Sequence, residues 1–205
     1  MILKTLMVGE LSSNCYIIGC PDTKVGAVID PGGDANHILN SATKLGLKVE
    51  YIINTHGHID HIGANAKVKE ATGAQLIIHS QDGVMLTDPK LSLASFLGTK
   101  VDLLSADRLV EDQDLIKVGN LELKVLHTPG HTPGGMCLQV ADKIFTGDTL
   151  FAGSIGRTDF PGGDYDTLIN SIKTKLLGYP EETIVYPGHG PASSIGEEKK
   201  NNPFF

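Results

Sequence analysis

The chain of 205 residues is long enough for one domain, 1–205, with a buried core of its own. Hydrophobic residues make up 40% of it and charged residues 20%, a balance that excludes a disordered chain. A formal net charge of −7 argues against nucleic acids and membranes as partners, because both are bound through lysine and arginine. The three cysteines form no CxxC pair and no apolar run reaches the length of a membrane span, so we expect a soluble cytoplasmic protein.

Predicted strands and helices interleave along the chain and are separated by glycine-containing turns. Apolar runs predict strands over 25–29, 49–54, 75–79, 121–126, 136–140, 143–146 and 183–186. Helical spacing of apolar residues predicts helices over 34–45, 63–72 and 164–177, with Asp34 as a cap and Gly46, Gly73 and Gly178 as stops. The middle of the chain, between 80 and 120, is predicted to be rich in loops. This order predicts the α/β or α+β class, with mixed sheets and helices packed outside them.

The most distinctive motif is THGHIDH at 55–61, in which His56, His58, Asp60 and His61 are all metal-ligand types. A chance HxHxxH in a chain with this histidine content is roughly a one-in-a-hundred event. His56 and His58 can point the same way from an extended segment, while Asp60 and His61 fall in the first turn of a following helix. Asp60 is also placed to cap that helix. One short segment is therefore predicted to supply ligands to two adjacent metal positions.

Three further predicted strands end in loops that carry a metal-ligand residue, namely His131, Asp148 and His189. Loops at the carboxyl ends of strands are where α/β proteins place their chemistry, so we expect these residues to converge. Seven ligands are too many for one tetrahedral zinc, which predicts two divalent cations, with zinc first and iron or manganese as alternatives. The first position is assigned His56, His58 and His131, the second Asp60, His61 and His189, with Asp148 bridging.

With these motifs the sequence resembles the metallo-β-lactamase-fold superfamily, whose signature THxHxDH reads THGHIDH here. His131, Asp148 and His189 match the remaining ligand positions of that family in order and rough spacing. The resemblance covers nearly the whole chain and implies a four-layer αββα sandwich with the metals along one edge of the paired sheets. Within the superfamily, HTPGHTPGG, FTGDTLFAGSIGRTDFPGGD and GHGP most resemble glyoxalase II-like hydrolases (hydroxyacylglutathione hydrolase type) of the short, single-domain bacterial branch.

This resemblance implies hydrolysis of a small-molecule thioester such as S-lactoylglutathione. Two cations about 3.5–4 Å apart would lower the pKa of a shared water to roughly 7 and supply hydroxide for attack on the carbonyl. The carboxylates assigned to catalysis are Asp148 and Asp60, the latter for proton transfer to the leaving group. Arg157 is the candidate for binding a substrate carboxylate, and its alternative role is an ion pair with Asp159 that shapes the loop.

Glutathione recognition is expected to depart from that of standard glyoxalase II enzymes. Those enzymes continue after the last ligand into a helical domain that helps to hold glutathione, whereas sixteen residues follow His189 here.

One other activity stays open at this level. The stretch GRTDF equally resembles persulfide dioxygenases of the same fold, which use one iron held by the counterparts of His56, His131 and Asp148. Two histidines and a carboxylate suit non-haem Fe(II), so ligand types do not separate the two enzymes. A non-catalytic metal-binding protein is disfavoured because every ligand position is filled. The residues predicted to lie outside the site are His37, His79, His127 and the buried Cys137.

Overall fold

The computed structural model describes residues 1–97 and 102–205, which form two six-stranded mixed sheets and a short hairpin. The first sheet contains β1 Ile2–Val8, β2 Ser13–Gly19, β3 Val25–Ile29, β4 Lys48–Ile53, β5 Gln75–His79 and β6 Arg108–Val110. The second contains β7 Leu115–Val118, β8 Leu121–His127, β9 Met136–Val140, β10 Lys143–Gly147, β13 Ile184–Pro187 and β14 Ser193–Ser194. The hairpin is β11 Leu150–Phe151 with β12 Ser154–Ile155.

Because of the direction of the strands, the loops that carry the candidate ligands lie at one edge of the sheets. In the first sheet the order is β1 to β6, with β3, β4, β5 and β6 successively parallel. In the second the order is β14-β13-β10-β9-β8-β7, where β13 runs parallel to β10 and the other pairings are antiparallel. Strands β8, β10 and β13 therefore point the same way and end at the same edge.

The helices cover the outer faces of the sheets. They are α1 Ala35–Lys44, α2 Ile59–Ile62, α3 Asn65–Thr72, α4 Ala94–Leu97, α5 Tyr165–Ser171 and α6 Ile195–Asn201, with a 3-10 helix at Ser80–Leu86 and a π-helical turn at Ile172–Leu176. Ile38 of α1 and Val68 of α3 pack on the first sheet, and Leu168 of α5 packs on the second. No helix in these described ranges is long and apolar enough to cross a bilayer.

The core lies in three layers because the central strands are buried on both faces. In β2, Ile17 faces the helices α1 and α3, whereas the next residue, Ile18, faces the second sheet. In β3, Val28 and Ile29 alternate in the same way. Strands covered on both sides read as continuous apolar runs, which is why the sequence indicates them clearly. The predicted fold class, a four-layer αββα sandwich, is confirmed.

All seven predicted strands and the three predicted helical regions are present, with ends displaced by a few residues. The predicted helix 63–72 is α3, which starts at Asn65, and the predicted helix 164–177 is α5 continued by the π-helical turn. Strands β1 and β2 were not predicted. The middle of the chain, predicted as loops, also contains the 3-10 helix, α4, β6 and β7, and its residues 98–101 lie outside the described residues.

Two predicted helix caps are wrong. Asp34 occupies the N-cap position of α1, but its carboxylate accepts a hydrogen bond from the Gly9 N–H at 2.9 Å and none from the helix. Helix α2 begins at Ile59 with His58 at the N-cap position, so Asp60 lies inside the first turn and does not cap it. The Asp60 carboxylate instead accepts a hydrogen bond from the Ser13 hydroxyl at 3.1 Å. Both carboxylates therefore accept hydrogen bonds from other segments of the chain and none from the first turn of their own helix.

Candidate metal centre

Three buried histidines form the first of two ligand clusters. His56, His58 and His131 each offer one ring nitrogen, and these atoms lie within 4.8 Å of one another. His58 Nδ1 and His131 Nε2 are 2.9 Å apart although the residues are distant in sequence. His131 Nδ1 donates to the carbonyl of Arg157 at 2.7 Å, which leaves the Nε2 lone pair facing the cluster.

Asp60, His61 and His189 form the second cluster, again with ligand atoms within 4.8 Å of one another. The Nε2 atoms of His61 and His189 are 3.3 Å apart, and His189 Nε2 is 3.1 Å from Asp60 Oδ2. His61 Nδ1 lies 3.2 Å from Asp30 Oδ2, so the Nδ1–H of this ring is oriented by a buried carboxylate. Its Nε2 atom is thereby turned toward the cluster.

Asp148 lies between the two clusters. Its Oδ1 is 3.4 Å from His61 Nε2, and its Oδ2 is 3.7 Å from His131 Nε2 and 3.8 Å from His189 Nε2. One carboxylate thus faces ligands of both groups, which is the geometry of a bridging ligand. The close approach of Asp148 to His61 requires glycine at position 188, because a Cβ at Gly188 would overlap Asp148 Oδ1 and His61 Cε1.

The donor atoms fit divalent cations. His56 Nε2 and Asp148 Oδ1 are buried and have no hydrogen-bond partner among residues 1–97 and 102–205, whereas buried polar atoms are ordinarily paired. Imidazole nitrogens and carboxylate oxygens are the usual ligands of zinc and of non-haem iron. A third group of possible ligands, Asp30, His56 and His61, shares two members with these clusters. Its carboxylate is already engaged by Thr55, so Asp30 supports the site from outside.

The electrostatics of the two clusters differ. Burial, reinforced by His61 and His131, lowers the pKa of His56 well below its usual value, and burial likewise lowers the pKa of His58 to about 3. These rings are neutral at pH 7, the form that binds a cation. Burial also disfavours the charged form of His61, but Asp60 and Asp148 outweigh it and raise the pKa of that ring. The carboxylates of the second cluster therefore favour a positive charge there, either a proton or a cation.

Asp30 and Thr55 orient two of the ligands, and the sequence analysis missed both. Asp30 accepts hydrogen bonds from the Thr55 N–H at 2.7 Å and the Thr55 hydroxyl at 2.6 Å. Because the hydroxyl donates to Asp30, it accepts from His56 Nδ1 at 3.1 Å and leaves His56 Nε2 as the ligand atom. Asp30 directly follows β3, so the rule that found the other strand-end ligands also indicates this residue.

Asp82 ties together the loops that carry His58 and His131. Its carboxylate accepts hydrogen bonds from the Gly57 N–H at 3.1 Å, the Thr132 hydroxyl at 2.7 Å and the Gly134 N–H at 2.6 Å. It is fully buried in the 3-10 helix. Nothing in its sequence surroundings marks it, because all three partners come from other parts of the chain.

A pocket of about 560 Å³ opens above the two clusters. It is lined by Leu11, His58, Ile59, Asp60, Leu93, Phe96, His131, Asp148, Phe151, Arg157, Phe160, Pro161 and His189. Arg157 lies at the mouth, where its Nε and Nη2 donate to the two oxygens of Asp159 at 2.9 and 2.7 Å. Its guanidinium also lies 4.2 Å from the centre of the Phe160 ring.

The structure brings the seven predicted ligands together and leaves the other histidines outside. His37 is exposed on α1, while His79 and His127 stack on each other at 4.0 Å and take no part in the two clusters. His127 also donates from Nε2 to the carbonyl of Pro133 at 2.9 Å. Cys137 is buried in β9, as predicted.

Comparison with known proteins agrees with this geometry. Residues 8–189 match the model of the metallo-beta-lactamase superfamily. The chain is 38% identical over 209 residues to hydroxyacylglutathione hydrolase GloC of Haemophilus influenzae, covering 100% of this chain and 98% of that protein.

Two solved structures are similar over essentially their whole length. The BLEG-1 B3 metallo-beta-lactamase has a TM-score of 0.94 and 37% identity, with 99% of each chain covered. TTHA1623 in a di-iron-bound form has a TM-score of 0.88 and 35% identity, with 100% of each covered. The chain described here belongs to the metallo-β-lactamase superfamily and is a metallo-hydrolase of that fold.

Proposed function

We propose that this protein hydrolyses thioesters such as S-lactoylglutathione in a metal-dependent reaction. The observation that carries the proposal is the position of Asp148, whose carboxylate faces both ligand clusters. The full-length similarity to a hydroxyacylglutathione hydrolase supports the substrate class. Two divalent cations are proposed, zinc first, and the di-iron form of the similar TTHA1623 supports both the number and iron as an alternative.

Hydrogen bonds within the chain fix the orientation of two candidate ligand rings. Two divalent cations, when bound by these ligands, would supply an activated water and polarise the substrate carbonyl. The rings of His131 and His61 are held by the Arg157 carbonyl and by Asp30, so they need not reorganise on binding. We propose that Asp60, whose pKa is lowered by His61 and His189 against the effect of burial, accepts a proton from the attacking water and passes it to the leaving thiolate.

Arg157 is proposed to contact a carboxylate of the substrate, a role that competes with its ion pair. Its Nε and Nη2 are held by Asp159, so a substrate carboxylate would have to share or displace that partner. The cytoplasmic location and the lack of nucleic-acid and membrane partners stay predictions from composition.

The test is release of thiol from S-lactoylglutathione by zinc-loaded protein, measured before and after chelation. We expect turnover that chelation abolishes and that His56→Ala or Asp148→Ala lowers on the order of 100-fold or more, because metal assistance supplies several kcal/mol of the barrier. His37→Ala, an exposed histidine outside both clusters, is the matched control and should keep its turnover. Full turnover in correctly folded His56→Ala protein would refute the assignment.

A single-iron persulfide dioxygenase is the alternative, since its ligand set of His56, His131 and Asp148 is also present in the site. Metal analysis of protein purified without added metal separates the two activities. One iron per chain together with oxygen uptake on glutathione persulfide would replace the thioesterase proposal.

A further inference from the structure

We propose that the pocket selects thioesters with an alkyl or aryl group beside the scissile bond, a proposal that rests on the proposed thioesterase function. Seven apolar side chains line the pocket beside the ligands, namely Leu11, Ile59, Leu93, Phe96, Phe151, Phe160 and Pro161. These side chains, which together form the apolar wall of the pocket, come from several segments of the chain that meet at the ligands. Apolar, concave walls around a few polar groups are typical of small-molecule sites.

The apolar wall begins at the ligands themselves. The Phe160 ring packs edge-on against His58 with ring centres 5.6 Å apart, and the Phe151 ring packs against His189 at 6.3 Å. Each ligand cluster thus has a phenyl ring beside it. A group attached to a carbonyl held at these ligands would therefore lie beside a phenyl ring.

The rim of the pocket is apolar and exposed. Phe96 is 77% exposed and Leu11 is 51% exposed, although both line the opening. Large exposed apolar side chains grouped around a pocket indicate a surface that a ligand covers. An alkyl or aryl arm would bury these side chains and gain the hydrophobic free energy that they now lack.

Arg157, a basic residue of the pocket lining, is already engaged in an ion pair. Arg157 donates both Nε and Nη2 to Asp159, and its planar face lies over Phe160. A substrate carboxylate therefore has to share or displace Asp159 at Arg157, whereas the apolar wall is open to an alkyl or aryl group. Among the described residues of the lining, Arg157 is the one lysine or arginine.

The test is the kcat/KM of zinc-loaded protein on two matched series. One varies the acyl group, as acetyl, butyryl and hexanoyl thioesters of N-acetylcysteamine, and the other varies the thiol, as acetyl thioesters of ethane-, butane- and hexanethiol. We expect kcat/KM to rise about fourfold per added methylene in at least one series until the pocket is filled. The series that rises identifies the arm that binds the wall, and flat profiles in both series would overturn the proposal.

The substitution Phe96→Ala tests whether the dependence of kcat/KM on chain length arises from the apolar wall. We expect about a tenfold lower kcat/KM on the longest substrate of the rising series and less than about a twofold change on the shortest. Its 77% exposure makes a folding defect an inadequate explanation of a loss confined to long substrates. The control is Met7→Ala, which removes a side chain of 74% exposure outside the pocket lining. Identical profiles for the two variants would also overturn the proposal.

Failure of the thioesterase function is distinguishable from failure of this inference. If zinc-loaded protein cleaves no thioester in either series, the proposed function is wrong. The inference is then decided by calorimetric binding of acetate, butyrate and hexanoate, and of ethane-, butane- and hexanethiol, to the same protein. Affinity that rises with chain length supports an apolar site, and equal affinities along both series contradict it.

Discussion

The tautomers of two ligand histidines are set by residues that do not contact a cation. Asp30 faces His61 Nδ1 directly and faces His56 through the Thr55 hydroxyl. Carboxylates in this position hold a ligand ring in its binding orientation and raise its basicity. One buried residue therefore supports a ligand in each cluster.

We expect Asp30→Asn to weaken zinc binding by about 10- to 100-fold, because an amide cannot accept from all of these donors at once. Competition with a chromophoric chelator measures the affinity. Asp34→Asn is the control, since this nearby exposed carboxylate contacts the Gly9 N–H and no ligand. Equal zinc affinity in both variants would show that Asp30 does not support the site.

At the scale of elements, the 3-10 helix Ser80–Leu86 fastens the loop after β4 to the loop after β8. Asp82 makes this link through three hydrogen bonds to the two loops. The loops carry His58 and His131, whose ring nitrogens face each other across the first cluster. The geometry of that cluster therefore depends on an element that supplies no ligand.

Asp82→Asn should lower the free energy of unfolding by about 1–3 kcal/mol, because it leaves a buried N–H or hydroxyl donor unpaired. Urea denaturation of the metal-free protein measures the loss. Asp142→Asn changes an exposed carboxylate that pairs only with Lys143 among the recorded ion pairs of the described chain, and should cost much less. A midpoint for Asp82→Asn equal to that of the control would contradict the linking role.

For the whole molecule, the candidate metal centre lies where the two sheets meet. Its ligands follow β4 of the first sheet and β8, β10 and β13 of the second. A cation that binds only the folded protein stabilises it by about 4 kcal/mol at a free concentration 1,000 times its Kd. Chelation should therefore lower Tm by roughly 8–16 °C for a chain of this length, which calorimetry measures. An unchanged Tm would show that no cation bridges the sheets.

The effect of chelation on Tm should shrink as the pH falls from about 8 to about 6. The pKa of His61 is raised by Asp60 and Asp148 against the effect of burial, and the pKa of His189 is raised by its hydrogen bond with Asp60. Protons on these rings compete with the cation below the raised pKa values. They also stabilise the metal-free fold there, and that stabilisation is lost as the pH rises. Calorimetry with and without chelator at each pH gives the difference, and a difference that grows toward acid would refute this account.

Strand β1 shows why part of the fold could not be predicted from the sequence. Its residues ILKTLMV include good helix formers and no clear alternation, yet they form a strand because seven residue pairs connect it to β2. The partner β2 follows after residues 9–12, but it is not a continuous apolar run either, so local propensity does not reveal the hairpin. By contrast, β3 and β4 are buried on both faces, and their apolar runs are visible directly.

The sequence by itself predicted the seven candidate ligands, because each follows an apolar strand or lies within one short motif, and both are local properties. The sequence analysis also divided these residues between two metal positions, and the tertiary structure brings together the same two groups. His58 meets His131 across 73 residues and His61 meets His189 across 128. Only the tertiary structure decided that Asp82 would join two loops and that apolar side chains would line the pocket. These contacts arise because the two sheets stack and bring together segments that are far apart in the sequence. Nothing in either segment alone indicates that the two will be in contact.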